Sequence, residues 1–359
     1  MNIAFRFLSL VGLVLTAHCG GSGSSSQPFA MKPSGSSSGL SGSSGGSSSG
    51  QASSGSGSSG GGSGSSGGQS GSSGGSSSGP PGDGGGSSEG GSSGGDSGAG
   101  SYSCFPAGSG TDFTSDGPLM AMSADVPSVS CTIIRPATLG SGGCLNPVIV
   151  WGNGTTNTPS SYTALFNHLA THGFVIAAAD TSNSGSGMEM LACLKYVTDQ
   201  NTTSGQFGGH LDLNHIASSG YSQGGAGCLA AGEDPRFTTV LAVSPYVVIA
   251  LGSYDPSKYA AAQIHPLFMI SGSADTVATP NNNQQPIYDT APVPIFWGTH
   301  TGSTHFEVLG TGGAYAGPMT AWFRWMLMGD PAARDWFEKP ACKLCSASGW
   351  MVQTNSKWQ

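Results

Sequence analysis

From about residue 101 onward, short continuous apolar runs alternate with segments of helical period. The runs at 147–151, 174–179, 215–220, 238–244, 266–271 and 293–297 carry few polar interruptions. Such runs suit strands that are buried on both faces, as in a parallel sheet covered by helices. Between them, Tyr162, Leu165, Phe166 and Leu169 recur at i, i+3, i+4 and i+7, and Gly173 stops the pattern. Further helices are expected at 187–199, at 224–231 and at 318–328. The last has Pro318 near its first turn and buries several of Trp322, Phe323, Trp325 and Met326. Ahead of these, 119–136 reads as antiparallel strands. The order predicts an α/β domain over 101–359, with a mostly parallel central sheet flanked by helices.

The first hundred residues have a different character. Residues 1–17 are apolar with Arg6 near the start, too short for a comfortable membrane span and shaped like an export signal. Leu15-Thr16-Ala17-His18-Cys19-Gly20 then resembles a bacterial lipoprotein cleavage site, with Cys19 as the lipidated residue over 1–19. His18 departs from the small residue expected before that cysteine, so plain secretion with cleavage nearby is the alternative. Residues 20–100 are almost wholly glycine and serine. Such a segment has no apolar surface to offset chain entropy and reads as a disordered linker. A coil of about 80 residues would reach roughly 50 Å, a tether between a membrane and the folded domain.

Charge and cysteine content narrow the functional classes. The chain has 11 Lys and Arg against 19 Asp and Glu, a net charge of −8, and no basic run. Nucleic acid is therefore not an expected partner. Beyond Cys19 there are Cys104, Cys131, Cys144, Cys193, Cys228, Cys342 and Cys345. In an exported protein these predict disulfides rather than a metal centre. The expected pairs are Cys131–Cys144, around a Gly-rich turn, and Cys193–Cys228, joining two helices, with one cysteine of the domain left over. Cys342-Lys343-Leu344-Cys345 could be half of a zinc site, but no second C-x-x-C accompanies it, so no metal is expected.

The chemistry centres on Gly220-Tyr221-Ser222-Gln223-Gly224, a G-x-S-x-G sequence with an apolar run before it and a small-residue helix after it. In a chain with 61 glycines the pentapeptide alone says little; the strand and helix around it make it a nucleophile elbow. A serine hydroxyl needs a base to take its proton and an acid to orient that base. In elbow hydrolases these follow in the order Ser, Asp, His. The chain offers Asp275, after the run ending in Ile270-Ser271-Gly272, and then two histidines, His300 and His305. His305, behind Gly302-Ser303-Thr304, is the expected base, and His300, nearer the strand, a surface or supporting residue. The expected oxyanion donors are the N–H of Gln223 and that of Thr155 in Trp151-Gly152-Asn153-Gly154-Thr155, with Gly154 as the alternative and as a residue against substrate. Asn153-Gly154-Thr155 also fits the glycosylation pattern, but its place beside the serine argues against modification. Asp180 ends a strand but precedes the serine, which predicts a structural role.

Together these segments resemble the bacterial cutinase-like, polyester-hydrolysing branch of the α/β-hydrolases, close to the dienelactone-hydrolase type. Leu169-Ala170-Thr171-His172-Gly173-Phe174-Val175 is very like that group's Leu-Ala-x-His-Gly-Phe-Val, and the elbow, Asp275 and His305 fall at its triad positions. Ser244-Pro245-Tyr246 sits where the group has a Pro-Trp pair, which makes Tyr246 a substrate-side residue by resemblance. The resemblance implies an α/β-hydrolase fold, no cofactor, and a carboxylester hydrolase acting through an acyl-enzyme, with an ester or polymeric ester as substrate; a monomer is expected, and the first hundred residues add secretion or surface tethering, with Cys19 as a lipid anchor to the bacterial outer membrane. Two departures bear on substrate. The group's polyester-active members usually have an aromatic at the position of Thr155, and often Met at that of Gln223. Gln223 and Tyr246 also suit a polar ester, so an acetyl or feruloyl carbohydrate esterase is the rival reading. A dienelactone-type enzyme usually has cysteine where this chain has Ser222. A non-enzymatic surface binding module is the reading outside the enzyme class.

Overall fold

The computed structural model describes residues 112–247 and 256–358. The expected export segment 1–19 with Cys19, the linker 20–100 and Cys104 lie outside the described residues. Among the described residues nine strands form one sheet: β1 (Ala121–Val126), β2 (Cys131–Pro136), β3 (Asn146–Gly152), β4 (Val175–Ala179), β5 (Leu211–Tyr221), β6 (Thr239–Val243), β7 (Leu267–Gly272), β8 (Ile295–His300) and β9 (Trp350–Thr354). Their order across the sheet is β1-β2-β4-β3-β5-β6-β7-β8-β9. The six strands from β4 to β8 are mutually parallel, and the antiparallel pairs β1–β2, β2–β4 and β8–β9 lie at the two sides. This is the α/β-hydrolase fold that the sequence implies.

The helices are α1 (Thr163–Thr171), α2 (Met188–Asp199), α3 (Gln223–Ala231), α4 (Pro256–Ala261), α5 (Pro280–Asn283), α6 (Gln285–Thr290), α7 (Ala316–Met328), α8 (Pro331–Arg334) and α9 (Lys343–Ser346). The continuous apolar strands require cover on both faces, and two cores provide it. On one face Leu165, Phe166 and Leu169 of α1 join Met319, Trp322 and Phe323 of α7 against Ile149, Trp151, Phe268 and Phe296. On the other, Met190 and Leu194 of α2 and Ala226 and Leu229 of α3 pack on Val148, Val150, Val240 and Met269. Trp325 and Met326 are only partly buried at the edge of the first core.

Three differences from the sequence reading have physical causes. Strand β5 starts four residues earlier than its apolar run, because its polar first half pairs with β3 through a register shift between Asp212 and Ile216. Strand β9 has an apolar run of only three residues, Trp350-Met351-Val352, and none of its residues is fully buried, so the pattern gives it no clear signature. The disulfides also differ. Cys131 pairs with Cys193, at a Cα separation of 5.9 Å, and Cys342 with Cys345. Cys131 opens β2 opposite Ala179, the last residue of β4, and so lies at the sheet end from which the chain turns into α2 and Cys193. Cys144 precedes β3 at the other end of the sheet, out of reach of Cys131. Cys228 is a buried free thiol whose Sγ lies 3.1 Å from the Gly225 carbonyl oxygen.

The end of α1 packs on the first described segment. Gly117 N–H donates to Thr171 Oγ1 at 2.7 Å, and Leu119 N–H to the Thr171 carbonyl at 3.1 Å. His172 is fully buried, and its Nε2–H donates to the Ser115 carbonyl at 2.9 Å rather than capping its own helix. Burial lowers the His172 pKa to about 4, with the nearby His168 and Arg324 adding to the effect and the Ser115 bond and Asp116 opposing it.

Two outcomes follow. Replacing Cys131 and Cys193 together by alanine opens a loop spanning 62 residues, which lowers the unfolding free energy by about 4 kcal/mol on chain-entropy grounds. Urea titration reads the change, and an unaltered midpoint contradicts it. His172 stays neutral in the fold but binds a proton in the unfolded chain below its ordinary value. Its contribution is therefore complete above pH 6.5 and is lost as pH falls towards about 4. In His172→Gln, which keeps an Nε2–H for Ser115, the loss of stability across that window becomes shallower by about one proton. Denaturant melts at stepped pH test this, and an unchanged slope overturns it.

Candidate active site

The site stands where β5, β7 and β8 end. Gly220, the last residue but one of β5, lies opposite Gly152 of β3, and Gly224 lies in the first turn of α3. These backbones nearly touch. A Cβ on Gly220 would fall 2.2 Å from the Gly224 carbonyl oxygen, and one on Gly224 2.1 Å from that of Gly152. Only glycine allows the approach. Between them Ser222 has φ 54° and ψ −119°, a conformation that side-chain-bearing residues rarely adopt. Its N–H is tied to the Val243 carbonyl at 3.0 Å.

The turn presents Ser222 Oγ 2.9 Å from His305 Nε2, while His305 Nδ1 lies 2.8 Å from Asp275 Oδ2. All three side chains are buried. The other carboxylate oxygen of Asp275 accepts from Val277 N–H at 2.9 Å and Ala278 N–H at 2.8 Å. Burial raises the Asp275 pKa, but the hydrogen bond and charge of His305 together with those two N–H groups outweigh it, so the carboxyl is held below its ordinary value. An ionised acid, an imidazole bonded on both nitrogens and a hydroxyl are thus in line, an arrangement able to move a proton from Oγ to Nε2. The Tyr221 ring, 5.0 Å from that of His305, covers the imidazole.

Gln223 begins α3, so its N–H belongs to the first turn, where helix N–H groups have no partner within the helix. Gly154 N–H, the alternative oxyanion donor, is engaged by Tyr162 Oη at 3.1 Å. Thr155 follows it and is exposed. Tyr246 is half-buried and adjoins the nucleophile, since its N–H donates to the Ser222 carbonyl at 2.9 Å. His300 ends β8 and is bonded to Ser303 Oγ rather than to Asp275. Asp180 accepts from Thr132 Oγ1 at 2.5 Å, a link between β2 and the end of β4.

Two supporting residues escape a reading by motif. Asn153 is fully buried, and its Nδ2 donates to the carbonyls of Ala179 at 2.5 Å and Thr181 at 2.9 Å, fixing the loop that carries Gly154 and Thr155. The glycosylation pattern at Asn153 is therefore closed to modification. Tyr162, counted in the apolar stripe of α1, uses its hydroxyl to hold Gly154. An asparagine just past a buried strand was the available clue to the first, while nothing in the sequence separated the second from a core aromatic.

The folded region is similar to known proteins. Residues 114–342 match the PET hydrolase-like family. A cutinase of Thermobifida alba, est1, is 26% identical over 145 residues, 39% of this chain and 46% of the relative. A bis(hydroxyethyl) terephthalate hydrolase of Streptomyces coelicolor is 26% identical over 187 residues, 49% of this chain and 56% of the relative. Cutinase 2 of Thermobifida cellulosilytica is 26% identical over 161 residues, 43% and 58% of the two chains. The chain spans about half the length of the curated relatives it matches. With the family matched over most of the folded region, and with that region folded as an α/β-hydrolase, the chain belongs to the PET hydrolase-like family.

Proposed function

We propose that the chain is a serine carboxylester hydrolase that works through an acyl-enzyme on Ser222, with a polyester or a related ester as substrate. The observation that carries this reading is the unbroken line from Asp275 through His305 to Ser222, with spacings of 2.8 and 2.9 Å. His305 Nε2 takes the proton of Ser222 as Oγ bonds to the ester carbonyl carbon. The tetrahedral oxyanion is met by the N–H groups of Gln223 and Thr155, Gly154 being already engaged by Tyr162. Collapse breaks the bond to the alcohol, which leaves with the proton from His305. Water, deprotonated by the same imidazole, then attacks the acyl carbon; the bond to Oγ breaks as the imidazolium returns that proton to it, releasing the acid and restoring Ser222. Asp275 keeps its charge throughout and stabilises the imidazolium.

The relatives named as cutinases and as a bis(hydroxyethyl) terephthalate hydrolase support an apolar or aromatic ester, and Tyr246 beside the nucleophile supplies a ring for it. A carbohydrate ester is the second reading, favoured by the polar tips of Gln223, directly after the nucleophile, and of Tyr246, whose N–H donates to the Ser222 carbonyl. Export, and attachment through Cys19 with 20–100 as the tether, complete the proposal. They rest on the composition of the first hundred residues.

The test is turnover of p-nitrophenyl butyrate by the full chain. Ser222→Ala and Asp275→Asn each lower kcat by a factor on the order of 10⁴, the second by leaving His305 in the wrong tautomer. Activity of Ser222→Ala equal to the unaltered protein contradicts the assignment and revives a binding role. Release from a polyester film, acetyl-xylan and a feruloyl ester, compared side by side, separates the two substrate readings.

A further inference from the structure

The loops that carry Asp275 and His305 are knitted together through their backbones. Ser273 N–H donates to the His300 carbonyl at 2.9 Å, and Ala274 N–H to the Ser303 carbonyl at 3.0 Å. In return, Gly302 N–H donates to Ser273 Oγ at 2.9 Å. The loops meet so closely that a Cβ on Gly272 would lie 2.0 Å from the Ser303 carbonyl oxygen. Ser303, buried and two residues ahead of His305, is therefore the point where the base's turn bears on the acid's loop.

Ser303 is also held from its other side. Its Oγ lies 2.7 Å from His300 Nδ1, and that bond persists whichever of the two atoms carries the proton. His300 is itself fixed. It pairs with Trp350 across β8 and β9, its ring lies 5.1 Å from the indole, and Thr301 N–H donates to the Gly349 carbonyl at 2.7 Å. A Cβ on Gly349 would come within 3.0 Å of His300 Nε2, so the imidazole has little room to turn away.

From this geometry we infer that His300 is a positioning residue for the reaction at Ser222. Acting through Ser303, it sets the turn that delivers His305. Backed by Trp350, it makes the C-terminal strand β9 part of the apparatus that holds the base. The inference rests on the hydrolase reading above. His300 touches neither Ser222 nor Asp275; it governs how consistently His305 Nε2 stays within reach of Oγ. Misplacing a reacting group by 1 Å costs up to about 10²-fold in rate, so losing one tie among several costs about tenfold.

The experiment measures kcat and KM for p-nitrophenyl butyrate with the full chain, well below each variant's Tm. His300→Phe keeps a ring against Trp350 but loses the bond to Ser303, and Ser303→Ala removes the same bond from the other end. Each lowers kcat about tenfold with KM within twofold. The double variant is no worse than the poorer single one, because one tie is broken in both. His300→Asn, whose amide places a polar atom near the position of Nδ1, restores most of kcat. A merely structural role would lower Tm and leave kcat intact. Unchanged kcat in both single variants, multiplicative losses in the double variant, or an asparagine no better than phenylalanine overturns the inference. Should His300→Phe fail to fold, Ser303→Ala, which removes a single oxygen, decides the matter. Ser222→Ala run in parallel separates the two levels. If it is as active as the unaltered protein, the hydrolase reading falls and takes this inference with it. If it is inactive while His300→Phe and Ser303→Ala match the unaltered protein, only the positioning role falls.

Discussion

Three stretches of backbone converge at the elbow: the end of β3 at Gly152, the end of β5 at Gly220 and the first turn of α3 at Gly224. The room left for a side chain at Gly220 or Gly224 is little more than 2 Å, well inside any van der Waals contact. This close approach is the constraint on which the rest depends. It lets α3 start directly against the sheet and leaves Ser222 in a conformation that would be costly in an unconstrained loop. It also places the first turn of α3, whose N–H groups have no partner within the helix, directly after Ser222. The cores on both faces of the sheet keep β3 and β5 in register, so the turn is paid for by packing remote from it.

The other two members of the line come from strand ends that lie progressively further across the sheet. Adjacent strands are about 4.8 Å apart, so side chains on the loops after β7 and β8 have to reach back towards β5. Asp275 is held for this by Val277, Ala278 and His305, and His305 by the interlocked turn around Ser303. On the opposite flank, Asn153 and Tyr162 fix the loop that holds Gly154 and Thr155. The reacting groups are few and the groups that hold them are many, as expected where geometry must be set before substrate arrives.

Much of this was legible in the sequence because it follows from local pattern. Buried parallel strands read as apolar runs, α1 as a 3.6-residue stripe, and the elbow as glycines placed where a strand turns into a helix. The order Ser222, Asp275, His305 could be read because each follows such a run. Relationships between segments distant in sequence were harder to read. Cys131 and Cys193 meet only because β2 runs antiparallel beside β4, which no spacing of cysteines reveals. Strand β9 has too little buried surface to show a pattern, although His300 packs against it. Tyr162 looks like any core aromatic until its hydroxyl is seen beside Gly154.

The central claim is that the constrained geometry at Ser222 makes that one hydroxyl nucleophilic. Incubating the folded chain with a fluorophosphonate and mapping the adduct by peptide mass spectrometry tests it most directly. The account predicts one phosphonyl group per chain, on Ser222 alone despite the many serines elsewhere, and none after denaturation. An unlabelled folded protein, or label spread over other serines with Ser222 unmodified, would contradict it.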